Sequence, residues 1–223
     1  MAIRRIYHGS YYLIREPIFG MGNAHNDYGR GFYCTENLGM AQEWACSRRD
    51  NGMANVYDLQ TDGLQIIQLN NKGYHILNWL AILLENRIFD LDNPISNQGR
   101  KYILDHFLPD YKKADILIGY RADDSYFSFA RDFLNNTITL EQLRHAMRLG
   151  KLGEQIVLKS PEAFEALRFV GAQKAEKEIW YPRKVARDRM ARTAYSEMRQ
   201  GFSDGTFLID MIRQKWENDD TRL

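Results

Sequence analysis

The apolar residues of this chain fall into short runs of strand length separated by stretches with helical spacing, and such a pattern predicts a fold that mixes strands and helices. Ala2 to Tyr7 predicts a first strand, closing at Gly9, where a chain can turn sharply or approach a ligand closely. Glu16 to Arg30, rich in Gly and Asn, predicts a loop. Phe32 to Thr35, flanked by Gly31, predicts a second strand. Leu38, Ala41 and Ala45 follow at helical spacing, with Trp44 on the same helix. Val56 to Leu59 and Leu64 to Leu69 read as a hairpin about Thr61-Asp62-Gly63, because an Asp-Gly pair accommodates positive φ.

The pattern then predicts helices over Tyr74 to Phe89 and from about Gln98 to Phe107, and a strand over Asp115 to Tyr120. Arg121-Ala122-Asp123-Asp124 reads as a helix start, with two acids near the positive end of the dipole. Thr139 with Gln142 fits a capping box for a helix through Leu149. Gly150 to Gly153 breaks it, and Glu154 to Lys159 predicts a buried strand. Ser160-Pro161 opens a short helix, and Leu167 to Val170 adds a strand. From Gln173 the chain turns long, polar and helical. The expected organisation is a domain over residues 1–172 and a helical, locally basic extension over 173–223.

At 223 residues the chain can bury a sizeable core without disulfides or metals. Its net charge of +1 argues against a generally cationic surface, so any nucleic-acid contact must be regional. Cys34 and Cys46 form no CxxC pair, which predicts two free thiols, a reducing compartment and a cytoplasmic location. The N-terminus lacks the pattern of a secretory signal. The greasiest stretch, Ile76 to Leu84, is too short for a bilayer core of roughly 30 Å, so no membrane contact is expected.

A small set of residues carries chemistry. His8 can give and receive hydrogen bonds to a ribose diol, Gly9 leaves its backbone open to a carboxamide, and Ser10 adds a hydroxyl. Tyr33 and Trp44 offer two faces for a flat ring, and a positive charge on that ring adds roughly 0.5 to 2 kcal/mol of attraction. Glu154, opening the run Glu154-Gln155-Ile156-Val157-Leu158, offers a fixed negative charge for an oxocarbenium ion. Taken singly each has a plainer reading: a strand-end imidazole, two core aromatics, a solvated acid. Together they suit NAD+, which combines a cationic ring, a ribose diol and a carboxamide. Its pyridinium needs no acid to leave.

The order His8-Gly9-Ser10, Gly29-Arg30-Gly31-Phe32-Tyr33, an aromatic eleven positions later and Gly153-Glu154-Gln155-Ile156-Val157 resembles the His-Tyr-Glu branch of the ADP-ribosyltransferases, which includes poly(ADP-ribose) polymerases and diphtheria toxin. The segments Asp27-Tyr28-Gly29-Arg30-Gly31-Phe32-Tyr33 and Arg121-Ala122-Asp123-Asp124-Ser125-Tyr126-Phe127 also resemble an uncharacterised bacterial, toxin-like family of that superfamily. The resemblance spans about residues 3 to 170. It implies an α+β fold, with a split β-core of two packed sheets, surrounding helices and a helical C-terminal extension. It assigns His8 to the adenine-side ribose, Gly9 to the carboxamide, Tyr33 to the nicotinamide pocket and Glu154 as catalytic carboxylate, with Ser10, Arg30 and Trp44 completing the cofactor site. Trp44 stands where the family has a stacking tyrosine, and Ala41 where a hydroxyl is common.

The implied activity is mono-ADP-ribosyl transfer, with NAD+ consumed as co-substrate and no metal, in a toxin of a toxin-antitoxin or phage-defence system. NAD+ glycohydrolysis and a non-catalytic NAD- or ADP-ribose-binding module are the alternatives. The acceptor is a protein or nucleic acid, and an antitoxin is a candidate partner. Arg183, Lys184, Arg187, Arg189, Arg192 and Arg199 make the stretch from Tyr181 to Gln200 basic. That stretch reads as a solvated face, a phosphate-binding surface or a docking site for an acidic partner. Asp123 and Asp124 read as helix caps or as acceptor-positioning acids.

Overall fold

Strand pairing divides the chain between two sheets. The computed structural model describes residues 2–91, 93–122, 124–149, 153–201 and 204–223. In the first sheet β1 (Ile3–Ser10) pairs antiparallel with β3 (Gly52–Gln60), and β3 with β7 (Leu167–Ala175). The second sheet runs in the order β2 (Phe32–Cys34), β6 (Glu154–Leu158), β5 (Ile116–Tyr120), β4 (Ile66–Gln68), antiparallel except for β4 with β5. A two-bond bridge joins the sheets: Tyr7 N–H donates to Thr35 O at 2.8 Å and Thr35 N–H to Tyr7 O at 2.9 Å. The chain is therefore α+β with two sheets.

Alternation along β6 separates two cores. Ile156 and Leu158 join Ile6, Phe32, Tyr57 and Ile118 between the sheets. Val157, on the opposite face, packs into a helical core with Trp79, Leu80 and Phe133. Helix α1 (Leu38–Ala45) lies against β1, capped by Asn37 Oδ1, which accepts from Met40 N–H at 3.1 Å. The long apolar run of α2 (Ile76–Asn86) is buried beside α3 (Pro94–Phe107), α4 (Asp124–Leu134) and α5 (Leu140–Ala146). Among the described residues no helix is long and apolar enough to cross a membrane.

Two expectations change. The Thr61-Asp62-Gly63 turn forms, with Gly63 at φ +84° and Leu64 N–H donating to Thr61 O at 3.3 Å, but its flanking strands do not pair. They enter different sheets, because Asp115 captures the chain after the turn, its Oδ2 accepting from Gln65 N–H at 2.7 Å. An Asp-Gly turn dictates a local reversal and leaves the choice of partner strand to longer-range contacts. Gly9 is also no turn. Strand β1 runs through it, and a Cβ there would stand 2.1 Å from Ala41 O and 2.9 Å from Ala45 N, so its bareness admits the α1 backbone.

The other boundaries shift by a few residues. Helix α3 begins at Pro94 behind an Asn93 cap, and the Thr139–Gln142 capping box makes both of its bonds, although α5 ends at Ala146. Ser160 caps α6 (Pro161–Glu165). Strand β7 continues to Ala175 before α7 (Lys177–Gln200) and α8 (Leu208–Arg213). Residues beyond 173 pack on the rest: Arg187 forks onto buried Glu43 of α1 at 2.6 and 3.0 Å, Tyr195 stacks on Phe129 at 3.8 Å, and Leu208, Met211 and Trp216 enter the helical core.

Gly9→Ala should destabilise the fold by about 3 kcal/mol, since helix backbone cannot yield as a side chain can, and urea unfolding reads this directly. Arg187→Met strands the Glu43 carboxylate without its partner and should cost about 3 to 5 kcal/mol in the same measurement. A loss below about 1 kcal/mol would mean that α7 is held by other contacts.

Candidate active site

Two adjoining clefts meet at His8. The smaller, about 220 Å³, is lined by His8, Gly9, Asp27, Trp44, Arg121 and Gln155 among others. The larger, about 420 Å³, is mainly apolar, with Ile14, Ile18, Met21, Phe32 and Phe164 in its wall. His8, Asn26 and Tyr33 line both. Residues separated by up to 36 positions in the first 44 are thus brought together, because β1, β2 and α1 meet where the sheets are bridged.

His8 stacks on Phe32 at 4.2 Å, and its Nδ1 lies 2.7 Å from Tyr33 O. A carbonyl only accepts, so the proton is on Nδ1 and Nε2 keeps an acceptor lone pair. Burial holds the imidazole below its usual pKa, against a smaller opposing effect of the Tyr33 carbonyl. Gly9 lies two residues after Tyr7, whose N–H and C=O both face Thr35, so strand alternation aims the Gly9 N–H and C=O toward the same edge. The Tyr33 hydroxyl donates to Gly29 O at 2.6 Å and accepts from Tyr28 N–H at 3.0 Å. Burial raises its pKa, so it serves as a fixed wall and not as an acid. The Trp44 ring carries the Arg121 guanidinium 3.9 Å from its centre, and its Nε1–H is buried with no partner.

Three of the expected residues stand elsewhere. Ser10 Oγ donates to Tyr12 O at 2.6 Å and accepts from Asn55 Nδ2 at 3.0 Å, serving the local chain; Arg30 is exposed; neither lines these two clefts. Glu154 is half-buried at the start of β6, its Oε1 accepting from the exposed Asn70 at 2.6 Å, and it is not in the lining of either cleft. Strand parity keeps it out of the smaller cleft. Gln155 shares the cleft-side face of Val157 and Tyr33, and Glu154 is one residue out of phase. Asp123 lies outside the described residues, and for Asp124 only the backbone is described, as the first residue of α4.

The residues that sequence reasoning passed over are Asp27, Arg87, Arg121 and Gln155. Asp27 is buried, and its Oδ2 accepts from Ala122 N–H at 2.9 Å and Gln155 Nε2–H at 3.1 Å; Arg87 Nε lies 3.4 Å from Oδ1. Burial raises its pKa; the Ala122 N–H, the Arg87 charge and Gln155 oppose this. Asp27 and Arg121-Ala122 open the two segments quoted above, and a shared terminus was the available signal. For Gln155 the signal was its phase relative to Val157. On α7, Arg183 covers Trp180 at 4.6 Å, Arg187 pairs with Glu43, Arg192 with Asp188 at 2.9 Å and Arg199 with Asp132 at 3.1 Å. These four cations already serve intramolecular contacts. Among the described residues no group of three His, Cys, Asp or Glu could hold a metal.

The family described as protein of unknown function DUF3990 matches residues 4–169, and the chain belongs to it. That match includes every residue of the smaller cleft named above. Searches of curated proteins and of solved structures give no match.

Because His8 is held neutral, the unfolded chain takes up a proton below about pH 6.5 that the folded chain refuses, so the contribution is lost as pH falls. His75 titrates in the same sense, so the difference between wild type and His8→Gln isolates His8. The stability advantage of wild type over His8→Gln should shrink between pH 7.5 and pH 5, as followed by urea unfolding; a widening advantage would reverse the assignment.

Proposed function

We propose that this protein binds NAD+ across the two clefts and transfers its ADP-ribose to a macromolecular acceptor. The observation that supports this most is the convergence of His8, Gly9, Tyr33 and Trp44 on one cavity, with an apolar cleft on the other side of His8. In this reading the nicotinamide lies in the smaller cleft, against Trp44, with its carboxamide on the Gly9 backbone. The adenosine half takes the larger cleft, and the bare Nε2 of His8 accepts from a ribose hydroxyl. The glycosidic C–N bond breaks with its electron pair leaving on the pyridinium nitrogen. An acceptor nucleophile then bonds the ribose carbon and loses its proton. Glu154 supplies the negative charge at the start of β6 and turns from Asn70 toward the sugar to do so. The biological setting we propose is a toxin of a toxin-antitoxin or phage-defence system acting inside the cell.

A second reading, an NAD- or ADP-ribose-binding module without turnover, is favoured by one observation: the β6 residue lining the cleft is a neutral amide, Gln155. Purified protein with labelled NAD+ and cell lysate separates the readings. Nicotinamide release together with a labelled macromolecule is the expected result, and Glu154→Gln should slow both by about 10²- to 10³-fold. Free ADP-ribose without labelling would indicate a glycohydrolase, and binding without nicotinamide release would indicate the module. A full rate in Glu154→Gln would remove that carboxylate from the reaction.

A further inference from the structure

Gln155 is 5% exposed and lines the smaller cleft. Its Nε2–H donates to Asp27 Oδ2 at 3.1 Å, and this contact fixes which way round the amide sits, because a carboxylate accepts and does not donate. The Oε1 is left buried with no hydrogen-bond partner, as are the Nε1–H of Trp44 and the Nε–H of Arg87 in the same cleft. Buried polar atoms without partners are unfavourable, and the Gln155 oxygen is the one acceptor among these three, so at that point the ligand must offer a donor. A phosphate or carboxylate would set one acceptor against another at Gln155. An ammonium would set donor against donor at Trp44. A hydroxyl donates and accepts, and so answers either atom.

We propose that Gln155, held by Asp27, is the cleft residue that accepts a hydrogen bond from a sugar hydroxyl of the ligand. Resting on the NAD+ reading above, that hydroxyl is the 2'-hydroxyl of the nicotinamide ribose. Asp27 is then a positioning residue. It anchors the amide nitrogen so that the oxygen stays presented, and the hydrogen bond from Ala122 N–H and the ion pair with Arg87 keep it in place.

The test compares NAD+ with an analogue lacking that 2'-hydroxyl, with affinities read before turnover by stopped-flow tryptophan fluorescence. Wild type should prefer NAD+ by about five- to tenfold, the effect of one hydrogen bond to a buried acceptor. Gln155→Leu should bind both ligands equally and as weakly as wild type binds the analogue. Asp27→Ala, which leaves the Gln155 amide nitrogen without its acceptor, should lose most of the preference while holding the analogue within about twofold, a change in ratio that general loosening of the fold would not produce. Wild type that does not distinguish the two ligands overturns the assignment without any variant. So does a Gln155→Leu protein that keeps the preference, or that loses affinity for both ligands alike. Wild type that fails to bind NAD+ at all sinks the functional reading and this assignment together.

Discussion

Asp27 carries a carboxylate into a site where only 6% of the residue remains exposed, and three parts of the chain are tied to it there. Ala122 N–H comes from the end of β5, Gln155 Nε2–H from β6, and Arg87 from the end of α2. A buried carboxylate is tolerated only when donors replace its water, so the loop before β2 is held where those donors lie. Neighbouring contacts extend the tie: the Tyr28 hydroxyl donates to Tyr120 O at 2.6 Å, and Lys159 Nζ donates to Tyr28 O. Tyr33, Arg121 and Gln155 owe their places in the smaller cleft to this junction.

The second constraint is the bridge between Tyr7 and Thr35, which closes the seam between the sheets. With it in place, the next residues of β1 lie over β2, His8 donates to Tyr33 O, and α1 settles against the bare Gly9. His8 thereby stands between an apolar cleft and a polar one. That division fits a ligand with two dissimilar halves joined through sugars, and it gives the NAD+ reading its geometric support.

Much of the architecture was legible in the sequence. Seven strand-length runs and the helices between them were found at nearly their observed positions, since alternation, capping residues and proline act within a few residues of themselves. The Thr61-Asp62-Gly63 segment shows the limit. Its turn was legible and its pairing was not, because Asp115, fifty residues away, decides where Gln65 goes. The site divides similarly. His8, Gly9, Tyr33 and Trp44 were named from order and spacing, whereas Gln155 was passed over for its charged neighbour.

What the sequence by itself determined was the set of elements, their order and most of the polar and aromatic inventory, all written in local preferences of backbone and side chain. What only the tertiary structure decided was which strand lies beside which, which face of β6 looks into the cleft, and which buried atoms are left without partners. Those outcomes depend on pairing between segments that lie from tens of residues to more than a hundred apart. A one-residue difference of phase in a strand decides which of two neighbouring side chains, a carboxylate or an amide, lines a cleft.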